Sequence, residues 1–182
     1  MKLRFREAKA TQAAAHLLRL RGGRMSYVKL IKLLYLADRA AIIQWGRAIT
    51  TDCYVSMDNG PVVSRIYELI RNEPSPSSVR IWGKFISAPE DYEVRLLGDA
   101  GSDELSSAEE HLLDEVFGQH GQDSRWAIVD YTHSLPEWRH PDGGALPIEY
   151  GDTLRAAGKS ESEISATEQE LEYAALADCV LT

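Results

Sequence analysis

Residues 26–45 read Ser-Tyr-Val-Lys-Leu-Ile-Lys-Leu-Leu-Tyr-Leu-Ala-Asp-Arg-Ala-Ala-Ile-Ile-Gln-Trp, with Gly46 next. No Gly or Pro interrupts this run, and it is too long for a strand, so it is expected to be a helix with Ser26 as its N-cap. A helix apolar on nearly all sides belongs inside a protein, so this one is expected to be central. Its few charges are informative. Unrolled at roughly 100° per residue, Lys29, Lys32 and Arg39 fall within about 80° of one another. Asp38 lies about 180° from Lys29, among Ile31, Leu34, Ile42 and Trp45. A bare carboxylate on an apolar face is costly. Asp38 is therefore expected to accept hydrogen bonds from backbone N–H groups of the following loop or from Tyr, Arg or His. The competing reading is an acid or base with a shifted pKa in a pocket.

Outward from this helix, residues 5–21 predict a first helix ended by Gly22-Gly23. Residues 50–56 are β-prone. Asn59-Gly60-Pro61 predicts a turn with Pro61 at the first helical position, opening a helix that carries Val62, Val63, Ile66, Tyr67, Leu69 and Ile70 and ends before Pro74. Residues 73–78 read as a Pro/Ser loop. Val79–Ile86 and Tyr92–Leu97 predict a small hairpin, joined by the 50–56 strand. Ser106 and Glu109 have capping-box spacing before a helix closed at Gly118–Gly121. Ser124 opens another, running to about His133. Ile148–Ala157 predicts a short helix and Glu161–Asp178 a last, acidic one. The fold class expected is mainly α with a small antiparallel β element, a compact single domain around the apolar helix at about 26–45.

Composition sets further bounds. The 182 residues are 44% hydrophobic and carry a formal charge of −8. Residues 1–50 hold a net +9 and the remainder −17. The total argues against wrapping by nucleic acid, while the asymmetry leaves a local basic face open, as in an operator-binding autoregulator. The other expectation is that the early cations face the acidic later helices. Two cysteines, no leader pattern and no long apolar run point to a reduced, cytoplasmic protein without a membrane span.

Complete catalytic constellations are missing from the sequence. His133 with Glu137 has i,i+4 spacing, but Pro136 disturbs the helix, and no nucleophile motif accompanies it. A hydrolase-like enzyme using Asp38 or His133 is thus the weaker reading; the bland one is a core histidine tying a helix end to a neighbouring carbonyl. His111, His120, His133 and His140 lack metal-ligand spacing, and Asp99 and Asp103 lack the calcium-loop register. No phosphate loop or dinucleotide fingerprint is present, so neither metal nor cofactor is expected.

Several landmarks together resemble a known family. Lys32-Leu33-Leu34-Tyr35-Leu36-Ala37-Asp38 resembles its opening helix signature. Gly46 with Ile49, Asp52 and Tyr54 resembles the next segment. Asn59-Gly60-Pro61-Val62 followed by Tyr67 looks like its Gly-Pro-Val turn. Ser106 with Glu109, and Thr132-His133 with Pro136 and Trp138, resemble its later landmarks. This is the Panacea-domain, SocA-like family, whose members occur in toxin–antitoxin pairs and prophages. The resemblance runs from about residue 12 to 155, and it implies a domain over 1–158 followed by an acidic C-terminal helix at 159–182. It implies a mainly helical, non-enzymatic antitoxin that neutralises a cognate protein toxin, encoded nearby, by direct protein binding. One member acts as an adaptor to a AAA+ protease, and self-association as a homodimer fits antitoxins generally. Tyr35, Asp38, Asn59, Gly60, Pro61, His133 and Trp138 are then expected to form a structural network that locks the 46–61 loop and the 132–138 helix end onto the central helix. Asp52, Tyr54, Asp58, Trp82, Phe85, Glu168 and Glu172 are the candidate toxin contacts.

Overall fold

The computed structural model describes residues 3–72 and 81–180. Helix α1 spans Glu7–Leu20 and is followed by β1, Arg24–Ser26. Helix α2 spans Tyr27–Trp45 and is buried along most of its length, from Lys29 to Asp38 without a break and again at Ala41 and Ile42. It ends on Gly46 at φ 72°, a left-handed cap that favours glycine. Ser26 precedes it as expected but makes no side-chain cap. Instead the Tyr27 N–H donates to the Tyr92 carbonyl at 3.0 Å.

The segment after α2 departs from the sequence reading. Strand β2 is Tyr54–Met57, so residues 50–53 are not strand. Strand β3 is Gly60–Val63, joined to β2 by the two-residue turn Asp58-Asn59. Pro61 therefore sits in a strand and does not open a helix. It is tolerated because β3 lies at the edge of its sheet, where a missing N–H breaks no ladder. Helix α3 starts later, over Ser64–Ile70. Its start is fixed from outside: Asp52 accepts the N–H groups of Arg65 at 2.8 Å and Ile66 at 3.0 Å.

The Pro/Ser stretch 73–78, with Val79 and Arg80, lies outside the described residues. The remainder of the expected strand at 79–86 is instead one helical turn, α4, Trp82–Phe85. Glu7 of α1 captures the N–H groups of Ile81 and Trp82, at 2.6 and 2.9 Å, and caps that turn. Only Ile86 keeps a strand-like bridge, to Leu96. Strand β4, Glu93–Arg95, pairs with β1 rather than with 50–56, and puts the buried Met25 opposite the buried Val94.

Helix α5, Ser107–His120, carries the Ser106–Glu109 capping box, and α6, Arg125–His133, is capped by Ser124. Strand β5, Leu146–Ile148, takes the far side of β2 and gives the antiparallel order β3-β2-β5. Ile148 is thus a strand residue, and α7 begins at Tyr150, ending at Ala156. Helix α8, Glu161–Val180, packs on α7 where Gly151 lets it approach: a Cβ there would lie 2.9 Å from Glu168 Oε1. The architecture is mainly α with a small antiparallel β element, and α2 is central, touching α1, α3, α5, α6 and α7. Among the described residues no helix is long and apolar enough to cross a membrane.

The capping box gives a direct check. Ser106→Ala removes the acceptor for the Glu109 N–H and is expected to cost about 1 kcal/mol, read as a lower urea midpoint with an unchanged m-value.

Candidate functional site

Asp38 is 0% exposed. One of its carboxylate oxygens accepts the N–H groups of Ile49 and Thr50, both at 2.9 Å. The other accepts the Tyr54 hydroxyl at 2.9 Å and the Thr50 hydroxyl in a short bond. Four donors from one stretch of chain thus converge on a single acid of α2. Burial outweighs these bonds and pushes its pKa up to about 6. The next acid, Asp52, is built the same way. It accepts the N–H groups of Cys53, Arg65 and Ile66, and burial pushes it up to about 7. Asp52 is occupied with backbone, and Asp38 with backbone and two hydroxyls.

The cations of α2 are also turned inward. Lys29 Nζ donates to the carbonyls of Gly121 and Asp123, each at 2.6 Å, at the α5–α6 junction. Lys32, 1% exposed, donates to the Pro61 carbonyl at 2.7 Å, and burial lowers its pKa to about 7. Arg39 pairs with Glu137 at 2.5 Å, and Tyr35 donates its hydroxyl to the same carboxylate at 3.0 Å. Lys29 and Lys32 are thus buried and bonded to carbonyls, leaving neither on the surface for phosphates.

The β2–β3 turn meets α6 at Gly60. Its φ is +91°, and an added Cβ would fall 2.8 Å from Thr132 Oγ1, 3.2 Å from Lys32 Nζ and 3.3 Å from His133 Cδ2. Only glycine fits this contact without strain. His133 stacks on Trp138 with ring centroids 4.2 Å apart, and Trp138 donates to the Met57 carbonyl at 3.2 Å. The expected tie from His133 to a carbonyl is thus made by Trp138 instead; His133 Nε2 is buried and unpartnered among the described residues. Glu137 faces Tyr35 and Arg39, so the His133–Glu137 acid–base pair is not formed. Asn59 is exposed in the turn, and Pro61 supplies a carbonyl.

The expected toxin contacts separate. Trp82 is buried in α4 and Phe85 is half-buried against the core, so neither presents a free face. Asp52 and Tyr54 are buried too, held by α3 and Asp38. Asp58 is exposed at the hairpin tip, and Glu168 and Glu172 are exposed on α8. Asp52, Tyr54, Glu168 and Glu172 do share one cleft of about 270 Å³, lined also by Tyr150 and Leu171. Sequence reading missed Lys32 and Glu137 as network members. A lysine within an otherwise apolar run, and a Glu beside Trp138, were the available signals. No group of three or more potential metal ligands occurs among the described residues.

Two measurements probe the carboxylates. Asp38→Ala strands four donors and is expected to lower stability by about 2 kcal/mol or more, read by urea unfolding. The raised pKa values also set a pH dependence. An acid whose folded pKa exceeds its unfolded value of about 4 makes the folded chain the better proton binder between the two. The contribution of Asp38 and Asp52 to stability is therefore greatest below about pH 4 and declines as pH rises toward 7. Asp52→Asn is expected to flatten that decline in unfolding curves taken across the range.

A comparison with protein families matches residues 30–139 to the family described as antitoxin SocA-like, Panacea domain. No curated protein and no solved structure matches the chain. The matched stretch contains Asp38, Asp52, Gly60, His133 and Trp138, and it leaves out α1, β5, α7 and α8. It covers well over half of the sequence, and the chain belongs to the SocA-like Panacea-domain antitoxin family.

Proposed function

We propose that this chain is the antitoxin of a toxin–antitoxin pair and neutralises a cognate protein toxin by direct binding in the cytoplasm. The observation that carries this reading is the family match over residues 30–139. The geometry supports it from another side. Asp38, Asp52 and Lys32 bond to backbone, and Glu137 bonds to Tyr35 and Arg39, so these polar groups of the matched region serve the fold. Family membership points to a non-enzymatic role, and action falls to the outer surface.

Direct sequestration places the toxin on exposed groups. Asp58 at the hairpin tip and Glu168 and Glu172 on α8 remain from the sequence-derived contacts. Helix α8 carries most of the acidic surplus near the cleft and offers complementarity to basic groups on a toxin. Delivery of the bound toxin to a AAA+ protease would use the same first step. The decisive experiment is co-expression with the adjacent open reading frame. Growth is expected to be restored when the neighbour is toxic alone; no rescue from a demonstrably toxic neighbour would sink the reading.

A further inference from the structure

A second surface lies at the N-terminal end of α2. Tyr27 opens that helix, and the β1–β4 pairing brings Tyr92 beside it, with ring centroids 6.4 Å apart and nearly parallel. Asp91 and Tyr92 both have positive φ, 50° and 63°. Consecutive non-glycine residues in that region are strained, and such strain concentrates at functional sites. It leaves Tyr92 64% exposed. Helix α6 begins at the same place. The Arg125 guanidinium lies 5.6 Å from the Tyr92 ring centre and 4.9 Å from that of Trp126, itself 55% exposed.

Arg125 is distinguished by its rings and not by charge alone, since Arg4, Arg21 and Arg47 also form no carboxylate pair among the described residues. Arg6, Lys9, Arg19, Arg24 and Arg39 each pair with a carboxylate. Among the described residues no carboxylate pairs with Arg125. Two rings hold its guanidinium, so less rotamer freedom is lost when its N–H fork takes a partner. Tyr, Trp and Arg are the residue types that dominate protein–protein binding energy. Rings flanking a guanidinium fit an oxygen anion presented between apolar groups.

We propose that Tyr27, Tyr92, Arg125 and Trp126 form the anchor for the cognate toxin and seat a carboxylate that the toxin presents between apolar side chains. This rests on the antitoxin reading and names the chemistry of its partner. The rim favours a protein over a nucleic acid. Arg125 is the patch's one cation, and Asp91, Asp123 and Asp130 lie near it in the chain, so a phosphate chain with a charge at every nucleotide would meet repulsion beyond Arg125, whereas a single carboxylate needs only the one guanidinium. Helix α8 does not cover the patch. Its Thr167 lies against Gly46, at the other end of α2, roughly 27 Å away at 1.5 Å per residue.

The test uses the full chain and the purified product of the adjacent gene, by calorimetry and growth rescue. Arg125→Glu and Trp126→Ala are compared with the double variant Glu168→Lys with Glu172→Lys, after melting curves show that each is folded. Arg125→Glu and Trp126→Ala are each expected to weaken binding about 30-fold or more, and Arg125→Glu to lose rescue. Binding by both patch variants within about threefold of the unaltered chain would overturn the anchor and leave the antitoxin reading standing. If the unaltered chain neither binds nor rescues, the antitoxin reading falls and the anchor with it. A fluorescent single-stranded oligonucleotide that binds the unaltered chain at moderate salt, but not Arg125→Glu, would also overturn the proposal, in favour of nucleic acid.

Discussion

The Asp38 carboxylate constrains everything that follows α2. It is fully buried and cannot stay bare there, so the chain must return donors to it within a short loop. Ile49, Thr50 and Tyr54 do so, and this fixes the path of 46–54 across the helix. Fixing that path places the Asp52 N–H against the Thr50 hydroxyl and turns its carboxylate toward the first N–H groups of α3. Tyr54 then begins β2, whose partners bring in β3 on one side and β5 on the other. A single carboxylate thus organises a loop, a helix start and a sheet.

The opposite side of α2 works by the complementary rule. Lysines buried beneath a sheet edge and a helix junction find carbonyl oxygens, because those positions leave acceptors outside regular ladders. Lys32 reaches the edge strand β3 at Pro61, and Lys29 reaches the turn between α5 and α6. These bonds tie distant segments to one helix. The charge asymmetry along the chain has the same origin. Arg6, Lys9, Arg19 and Arg24 contact Glu104, Glu109, Asp99 and Glu93, so the early cations and the later acids meet across the fold.

What the sequence made legible was local or unavoidable. Helix α2 followed from its unbroken apolar run, the Asp38 network from the cost of a bare charge, and the starts of α5 and α6 from caps acting three residues away. What it hid was set at a distance. Asn59-Gly60-Pro61 has the residues of a helix start, but the donors of Arg65 and Ile66 answer to Asp52. Trp82 sits in β-prone sequence, but Glu7 caps a helical turn there from 75 positions away. Strands β1, β4 and β5 are three residues each, too short for a period-two pattern to register. Burial of Asp52, Tyr54 and Trp82 was hidden for the same reason: a polar or aromatic residue in a loop reads as surface until its distant partner is known.

The α8 face and the Arg125 patch would suit different parts of the proposed binding event. Helix α8 bears acids that remain in water, and such charges act mainly on the rate of encounter and its salt dependence. The Arg125 patch combines ring area with an unpaired guanidinium, and groups of that kind act mainly on the rate of release once water is excluded. A standard interface covers about 800 Å² on each partner, a width comparable to the roughly 27 Å of α2. On the proposed binding mode, one toxin would be steered by α8 at one end of the helix and held by Arg125 at the other. The rigidity this needs comes from α2 itself, pinned along its length by Lys29, Lys32, Asp38 and Arg39. A framework fastened in this way lets both surfaces act at a fixed separation, with little ordering left to be done on binding.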